Sequence, residues 1–512
     1  MLLLHTSPLT SLTSLSLLSL TLFGLWRLIH RHRCQQAVSR ASGCQVAHSQ
    51  APVRDPIIGL DFIYDVLFKP PEDRYLASSQ QAHARLGPTY TVRRWAWEVI
   101  YTCDSHNIKH LLASGFSDFA LPRLRVAALE TLVGRGIFTL NGQAWSRARA
   151  LLKPLLARLD HEAAVEALEG HFQAMLSLIF PSGDSRTAQV DLQPLFFRLT
   201  MEFAGSFLLG ASTGMLHNSE AAESFVRDYM TCSTEVVRRL GCGPLQHLRF
   251  SPRCHKAKQR VFGYIERFID DSLATAASSK ANGCEAHKAP DSVLVRLAAV
   301  TPDRAALRDQ VLHLLVASRD TTASMLSNLF FVLAQEPAVW TRLRLEVMAI
   351  SGQMPPTVAQ LRQMQYARWC INESLRLHPV IPTNAREATR DTTIPMGGGP
   401  DGTAPLLVRR GIVVVYNVYA MHRDANVFGP NPEAFVPERW ATLRPGWGFL
   451  PFNGGARTCL GQQLALTEAL YVVARMAQTV ERIHGLGGSE WVELYALATT
   501  CRDGVKVRLQ KG

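Results

Sequence analysis

One stretch of ten residues near the end of the chain constrains the fold more than any other feature. Residues 452–461 read Phe-Asn-Gly-Gly-Ala-Arg-Thr-Cys-Leu-Gly, and residues 462–479 carry apolar side chains at helical spacing. Cys459 is therefore predicted to lie at a helix start, where free backbone N–H groups and the helix dipole lower the pKa of a thiol. Gly454 and Gly455 allow the backbone to turn closely under a flat cofactor.

Hydrophobic periodicity elsewhere in the 512 residues predicts a mainly α fold with small β-sheets. The hydrophobic fraction is 47% and no long low-complexity tract divides the chain, which favours one large domain. β-type residues at 89–102 predict a hairpin, and those at 406–419 predict a second β-rich run. The helical patterns cover residues 145–158, 190–210, 220–240, 254–273, 303–335, 337–351 and 365–378.

Cysteine spacing and charge exclude several classes of protein. The ten cysteines form no C-x-x-C pair and no zinc-like spacing, so neither a disulfide framework nor a structural zinc site is indicated. The net charge of +12 is diffuse and accompanies no nucleic-acid-binding motif, so no nucleic acid is expected as a partner. A basic face for an acidic protein or for anionic lipid is the favoured use of this charge.

The cysteine loop resembles that of the cytochrome P450 superfamily, which has Phe, two residues, Gly, one residue, Arg, one residue, Cys, one residue and Gly. Phe452, Gly455, Arg457, Cys459 and Gly461 meet all five positions. A buried structural residue is the commoner fate of a lone cysteine, but five matches argue against it here. The resemblance implies the cytochrome P450 fold and haem b as the cofactor, with Cys459 as the iron ligand. Phe452 and Arg457 then also contact the cofactor, Arg457 as a fork for a propionate.

Two further motifs match the family's haem-binding core. Glu373 and Arg376 lie one helical turn apart, and a pair at this spacing is by itself ordinary. In the family such a pair joins an arginine from a downstream Pro-Glu-Arg segment, which is Arg439 here. Trp145 and Arg149 resemble the family's helix at the haem edge, where both donate hydrogen bonds to one propionate. Arg386 is predicted on the same side.

The catalytic groups are predicted on the long helix at 303–335. Residues 317–322 read Ala-Ser-Arg-Asp-Thr-Thr and resemble the family's Ala-Gly-x-Asp-Thr-Thr segment, with Ser318 in place of the glycine. The resemblance implies that Thr321 hydrogen-bonds bound dioxygen or a water, and that Asp320 relays protons. A helical threonine often bonds only to the carbonyl four residues earlier, which is the alternative for Thr321.

Several segments resemble one branch of the family, the fungal alkane- and fatty-acid-hydroxylating cytochromes P450. This branch implies terminal hydroxylation of a long-chain alkane or fatty acid, with electrons from an NADPH-dependent flavoprotein reductase. A tailoring oxidase of a fungal polyketide or terpenoid pathway is the alternative substrate class, and a non-catalytic haem sensor or electron carrier is the alternative of another kind. The segments are residues 107–109, 136–139, 377–384, 397–402, 421–423 and 464–468.

The substrate pocket is predicted to be almost entirely apolar. His313, where this branch more often has Asn, is interpreted either as a substrate contact or as a satisfied core histidine. Arg147 and Lys153 are predicted to attract the acidic face of the reductase. The predicted pocket residues are Phe116, Leu124, His313, Val316, Ala317, Val380, Ile381 and Leu497.

The first 26 residues carry no Lys, Arg, Asp or Glu and are long enough to cross a bilayer. Arginines follow directly, so the positive-inside rule places the rest of the chain in the cytosol. We predict a transmembrane anchor at 1–30, a basic linker at 31–54 and a haem-thiolate monooxygenase domain at 55–512, at the endoplasmic reticulum membrane. The first alternative is a cleaved signal peptide, but the segment lacks the basic start and the cleavage site of one. A mitochondrial transit peptide is the second alternative.

Overall fold

The structure is a computed structural model. It describes residues 26, 33, 35–53, 55, 74–94, 97–157, 160–181, 186–217, 219–281, 292–301 and 303–512. Apart from Trp26, the predicted anchor lies outside these residues. Within the part of the chain that is described, no helix is both long enough and apolar enough to span a membrane.

Helices dominate the described residues, as the periodicity predicts. We number the α-helices in chain order. They are α1 Tyr75–Leu86, α2 Ser105–Lys109, α3 Arg123–Val133, α4 Gly142–Ala157, α5 His161–Ile179, α6 Leu192–Ala204, α7 Glu220–Gly241, α8 Pro252–Ala281, α9 Val293–Ala298, α10 Arg304–Leu333, α11 Pro337–Ser351, α12 Val358–Gln363, α13 Gln365–Leu377, α14 Val418–Met421, α15 Ala425–Phe428 and α16 Gln462–Thr479. Shorter helical turns include two π-turns, His110–Ser114 and Gly205–Leu209, and the 3-10 turns Phe116–Asp118, Met215–His217, Gly243–Leu248, Pro437–Ala441, Gly446–Gly448 and Gly455–Arg457.

The strands form small sheets beside this helical bulk. In chain order, the strands are β1 Thr89–Arg94, β2 Trp97–Thr102, β3 Phe119–Ala120, β4 Thr187–Asp191, β5 Thr383–Ala388, β6 Thr392–Gly398, β7 Ala404–Val408, β8 Val413–Asn417, β9 Val480–Gly485, β10 Glu493–Tyr495, β11 Thr499–Cys501 and β12 Lys506–Lys511. The largest sheet has the order β1-β2-β8-β5-β3, in which only the β2–β8 pair is parallel. The other sheets are β4-β12-β9, β6-β7 and β10-β11.

Helix α10 runs through the centre of the molecule and carries the whole of the predicted catalytic segment, residues 317–322. It begins where predicted because the Asp303 side chain accepts hydrogen bonds from the Ala305 and Ala306 N–H groups. Most of its 30 residues are buried, since apolar clusters cover it on several sides. Fully buried rings such as Phe196 and Phe330, at 5.1 Å between centroids, anchor α6 against it, and burial stabilises each by about 1.5–3 kcal/mol.

Three boundaries differ from the sequence-based predictions. The β-rich run at 406–419 is two strands, because Gly411 (φ +85°) forms a turn and sends β7 and β8 into different sheets. The helical pattern at 190–210 ends in the π-turn Gly205–Leu209. Helix α8 continues to Ala281, so the small polar residues after Leu273, predicted to start a loop, are helical at first.

Candidate active site

The cysteine loop is held by its own backbone and by one very close approach. The Cys459 N–H donates to the Phe452 carbonyl at 3.0 Å, which closes the loop just before α16. Asn453 (φ +59°) and Gly455 (φ +63°) adopt left-handed conformations. A Cβ on Gly455 would lie 1.9 Å from the Leu112 carbonyl oxygen. The loop therefore packs so tightly against the π-turn His110–Ser114 that only glycine fits at position 455.

Two opposing effects act on the pKa of Cys459. The side chain retains accessible surface, but protein atoms surround most of it, and this burial raises the pKa of the thiol above its usual value. The N–H groups of Gly461 and Gln462 and the charge of Arg149 lower the pKa by a smaller amount, as expected at a helix start. The predicted effect of the helix start is therefore present, and burial outweighs it.

Arg457 points from the cysteine loop to the start of α4. It donates to the Leu140 carbonyl at 2.9 Å and to Asn141 Oδ1 at 3.1 Å. Its guanidinium lies 4.3 Å from the centroid of the Trp145 ring. Burial lowers the pKa of Arg457 to about 9, with neighbouring arginines adding to the shift.

Those neighbours include Arg386 on β5 and Arg125 on α3, and with Arg457 we call them the arginine cluster. Arg386 is 1% exposed, and its Nε has no hydrogen-bond partner in the part of the chain that the structure describes. Burial, followed by the charge of Arg386, lowers the pKa of Arg125 to about 10. Both side chains approach Asn384 Oδ1, at 3.3 and 3.4 Å. Nothing in the sequence motifs indicates Arg125, because its part in the cluster arises from tertiary packing.

The arginine cluster fits a cofactor that carries carboxylates. Within the described part of the chain, no ion pair involves Arg125, Arg386 or Arg457, and the charges that lower the pKa values of Arg125 and Arg457 are those of other arginines. Charges that are withdrawn from water are ordinarily paired, so this cluster is suited to receive anionic groups. Haem has two propionates, and one member of the cluster, Arg457, lies two residues before Cys459. The donor set therefore fits haem.

Helix α4 places Trp145 and Arg149 on one face, as their spacing predicts. The Trp145 ring is 5.8 Å from the Arg149 guanidinium and 5.5 Å from the ring of Phe116. Burial lowers the pKa of Arg149, and Cys459 opposes this shift. Arg149 thus lies close enough to the cysteine for their charges to interact.

The second motif forms a closed buried network. Arg376 Nε and Nη2 donate to the two carboxylate oxygens of Glu373 at 2.9 and 2.8 Å, and both residues are 0% exposed. Arg439 Nε donates to Glu373 Oε1 at 2.8 Å, so the predicted third member is in place. The Trp440 indole N–H, which the motif did not indicate, donates to Glu373 Oε2 at 2.9 Å. Arg376 also donates to the Pro432 and His422 carbonyls.

On α10, the two predicted catalytic residues make different contacts. Thr321 is partly exposed, and its hydroxyl donates to the Ala317 carbonyl at 2.5 Å, so its oxygen remains free to accept. The buried Asp320 carboxylate accepts hydrogen bonds from Tyr229 on α7 and from Arg319. Sequence reasoning missed Tyr229, because no motif connects α7 to this segment.

His313 is not free to contact a substrate through a ring nitrogen. It is 0% exposed, and its Nδ1 accepts the Phe138 N–H at 3.2 Å while Nε2 lies 3.4 Å from the Gly134 carbonyl. Burial lowers its pKa to about 4. The prediction of a polar pocket contact is therefore corrected in favour of the alternative, a satisfied core histidine.

The other predicted pocket residues are distributed around the site. Val316 and Leu497 pack against the same apolar cluster. Leu124 lies beside the turn between α7 and α8, where its carbonyl accepts from Gln246 at 3.1 Å. Val380 is buried in a different cluster, and its neighbour Ile381 is 36% exposed. The structure thus does not unite all of them in one wall.

Glu468 on α16 is a further residue that the motifs did not single out as functional. It is 2% exposed, and burial raises the pKa of its carboxyl well above the usual range, although a hydrogen bond with Thr322 opposes the shift. Among the described residues, its Oε1 has no hydrogen-bond partner. The carboxyl lies next to Thr322 in the catalytic segment of α10.

Comparisons with known proteins agree with this geometry. The Cytochrome P450 family model matches residues 59–481. The chain is 42% identical over 471 residues to cytochrome P450 monooxygenase himC of Aspergillus japonicus, covering 91% of this chain and 84% of that one. It is 38% identical over 486 residues to cytochrome P450 monooxygenase FPY7 of Fusarium mangiferae, covering 94% and 92%. It is 37% identical over 462 residues to cytochrome P450 52A10 of Candida maltosa, covering 85% and 86%. The chain belongs to the cytochrome P450 family, whose cofactor is haem with a cysteine thiolate ligand, and it is a monooxygenase.

Proposed function

We propose that this monooxygenase binds haem through Cys459 and hydroxylates an apolar carbon chain. The observation that carries the assignment is the arginine cluster, which has no ion-pair partner within the described residues and includes Arg457, two residues before Cys459. When bound, haem with a thiolate ligand supplies the activation of O2. The residues of the chain orient the reactants and move protons.

The contacts of the predicted site residues support the following roles. Arg386, Arg457 and Arg149 would hold the acidic edge of the cofactor, with Trp145 beside Arg149 and Arg457, and Phe452 stands at the start of the cysteine loop. Glu373, Arg376 and Arg439 keep the surrounding core rigid. Thr321 would hydrogen-bond dioxygen or a water, and Asp320 would relay protons.

A spectroscopic experiment tests the ligand assignment. The reduced protein with carbon monoxide should give the strongly red-shifted absorption of a thiolate complex, and Cys459→Ala should abolish it while Cys501→Ala, a buried cysteine in β11, should not. Persistence of the band in Cys459→Ala would overturn the assignment. Product formation that requires NADPH and O2 distinguishes the monooxygenase from a haem sensor, an electron carrier or a peroxide-using isomerase or dehydratase.

The proposed substrate is a long-chain alkane or fatty acid, because the segments singled out in the sequence resemble that branch and because Val316 and Ala317, both partly exposed on α10 just before the catalytic segment's polar residues, are apolar. Burial of a chain is worth roughly 25 cal/mol per Å2. The second candidate is a polyketide or terpenoid of a secondary-metabolite pathway.

A ligand screen separates these two substrate classes. Each compound is tested for displacement of the water on iron, read as a low-spin to high-spin shift, and for oxygenated product with isotopically labelled O2. Shifts and turnover with fatty acids or alkanes support chain hydroxylation. Turnover with cyclic polyketides or terpenoids alone rejects it in favour of the second class.

We further propose that an NADPH-dependent reductase docks on α4, where Arg147 and Lys153 are exposed. Reversing both charges should slow reduction and weaken its salt dependence, and an unchanged salt dependence would reject this face. The domain at 55–512 would be held at the endoplasmic reticulum by residues 1–30, with mitochondria as the alternative. Fractionation of cells that express the full chain or a variant without residues 1–30 tests this arrangement.

A further inference from the structure

The segment Gly134–Asn141 connects α3 to α4 and joins α10 to the cysteine loop. At one end, Asp309 Oδ2 on α10 accepts the Arg135 N–H at 2.8 Å. One helical turn later, His313 Nδ1 accepts the Phe138 N–H at 3.2 Å. Side chains four residues apart share one face of a helix, so the two together fix the backbone of the segment against α10.

These contacts define the chemical state of His313. Because a backbone N–H can only donate, Nδ1 must be the unprotonated nitrogen, and Nε2 must carry the hydrogen. The Gly134 carbonyl, 3.4 Å from Nε2, is the acceptor that this hydrogen needs. Burial holds the pKa of His313 near 4, so the ring is neutral at physiological pH. A protonated ring would set N–H against N–H at Phe138.

The backbone of the segment is shaped to receive the two side chains. A Cβ on Gly136 would lie 2.4 Å from His313 Cδ2, and one on Gly134 (φ +69°) would lie 2.2 Å from Asp309 Oδ2. Thr139 stiffens the turn, since its hydroxyl donates to the Gly134 carbonyl at 3.0 Å and accepts the Gly136 N–H at 2.9 Å. The close contact of the segment with Asp309 and His313 therefore depends on its two glycines and on the hydrogen bonds of Thr139.

The other end of the segment holds Arg457. The Leu140 carbonyl and Asn141 Oδ1 accept from its Nη2 at 2.9 and 3.1 Å. Asn141 is itself fixed, because its Oδ1 accepts the Leu121 N–H at 2.9 Å. A continuous set of hydrogen bonds thus leads from α10 to the guanidinium two residues before Cys459.

We propose that Asp309 and His313 are positioning residues that, through the Gly134–Asn141 segment, set the place of the Arg457 guanidinium and so the retention of the cofactor. Neither residue touches substrate in this role. The inference rests on the proposed function only for the assignment of Arg457 to the acidic edge of haem.

A measurement on the unmodified holoprotein tests the first half of the proposal. Hydrogen-exchange mass spectrometry at single-amide resolution should find the Arg135 and Phe138 amides protected to within about tenfold of the amides of α10. Exchange at the rate of an exposed turn, such as residues 352–354, would overturn the proposal without any variant.

Two substitutions at His313 test the second half. His313→Leu removes the acceptor, so the Phe138 amide should exchange about tenfold faster and haem should transfer several-fold faster to an acceptor apoprotein. His313→Asn can place its Oδ1 where Nδ1 lies, so both rates should stay within about threefold of the original. Gln310→Leu is the matched control and should change neither rate, because Gln310 lies on the same helix and its Oε1 has no hydrogen-bond partner among the described residues.

If His313→Leu yields no folded holoprotein, Gly136→Ala replaces it, because its Cβ must push the segment off the imidazole. Equal loosening in His313→Asn and His313→Leu, or haem transfer unchanged in both the Leu and the Gly136→Ala variants, would reject the positioning role. The thiolate absorption of the carbon monoxide complex is measured in every variant. Its persistence shows that the proposed function stands even where the positioning role fails.

Discussion

The Tyr229 hydroxyl on α7 donates a hydrogen bond to the carboxylate of Asp320 on α10, and Arg319 donates to the other carboxylate oxygen. Both residues are buried. The carboxylate that is proposed to relay protons is therefore fixed by a helix that carries none of the sequence motifs. Burial and the charge of Asp320 raise the pKa of Tyr229 well above its usual range, so the hydroxyl remains a donor at any physiological pH.

Removing that hydroxyl should affect both stability and coupling. Tyr229→Phe takes one donor from a buried charge and should lower the free energy of unfolding by about 1.5–3 kcal/mol, measured by urea denaturation of the holoprotein. The loosened acid should also divert more reducing equivalents to peroxide. Tyr264→Phe removes a neutral hydrogen bond to the Thr213 carbonyl, at 3.2 Å, and should cost about 0.5–1.5 kcal/mol without altering coupling. Equal effects of the two substitutions would contradict the prediction.

The arginine cluster predicts effects of opposite sign with and without cofactor. Arg125→Gln removes a buried charge that lies beside Arg386, so the apoprotein should become more stable to heat. The holoprotein should lose haem about tenfold more readily, because a charged partner for a propionate is gone. Arg123→Gln, which affects an exposed arginine paired with Glu387, is the control and should change neither. A loss of stability in both states would argue for an ordinary structural role.

The buried network at Glu373 predicts a large loss of stability. Glu373→Gln leaves two buried guanidiniums without their acid and should cost about 3–5 kcal/mol in the free energy of unfolding. Arg342→Ala disrupts an ion pair with Glu438 that is about half exposed, and it should cost no more than about 1 kcal/mol. Chemical denaturation followed by circular dichroism compares the two, and similar losses would show that the network is not the source of rigidity.

Buried histidines predict a decline in stability on acidification. Burial lowers the pKa of His313 and of His83 from 6.5 to about 4. These histidines therefore bind protons near pH 6.5 in the unfolded chain but only near pH 4 in the folded chain. Because the unfolded state binds more protons between these values, the free energy of unfolding falls as the pH drops through this window. Each histidine contributes a slope of up to about 1.4 kcal/mol per pH unit. His83→Phe should reduce the slope by one such contribution and leave a constant difference above pH 7. An unreduced slope would contradict the assignment.

The features that the sequence predicts correctly are local ones, such as helix boundaries and residue pairs one helical turn apart. The bounds of α11 and the start of α10 follow from periodicity and an N-cap, and Glu373 and Arg376 were found because one helical turn brings them together. Arg125 and Tyr229 could not be found in this way, because their partners come from distant parts of the chain. The net pKa of Cys459 requires the structure for a related reason, since the effect of a helix start can be seen in the sequence but the extent of burial cannot.

The close approach of Gly455 to the Leu112 carbonyl has a consequence for engineering this protein. In a library that randomises the cysteine loop, the exposed position of Ala456 should accept many side chains. The position of Gly455 should accept none, because even a methyl group there would displace the π-turn His110–Ser114. Asn453, at φ +59°, should accept chiefly Gly and Asp. The substitutions tolerated around Cys459 would then be limited by the backbone conformation of the loop as much as by the chemistry of the iron ligand.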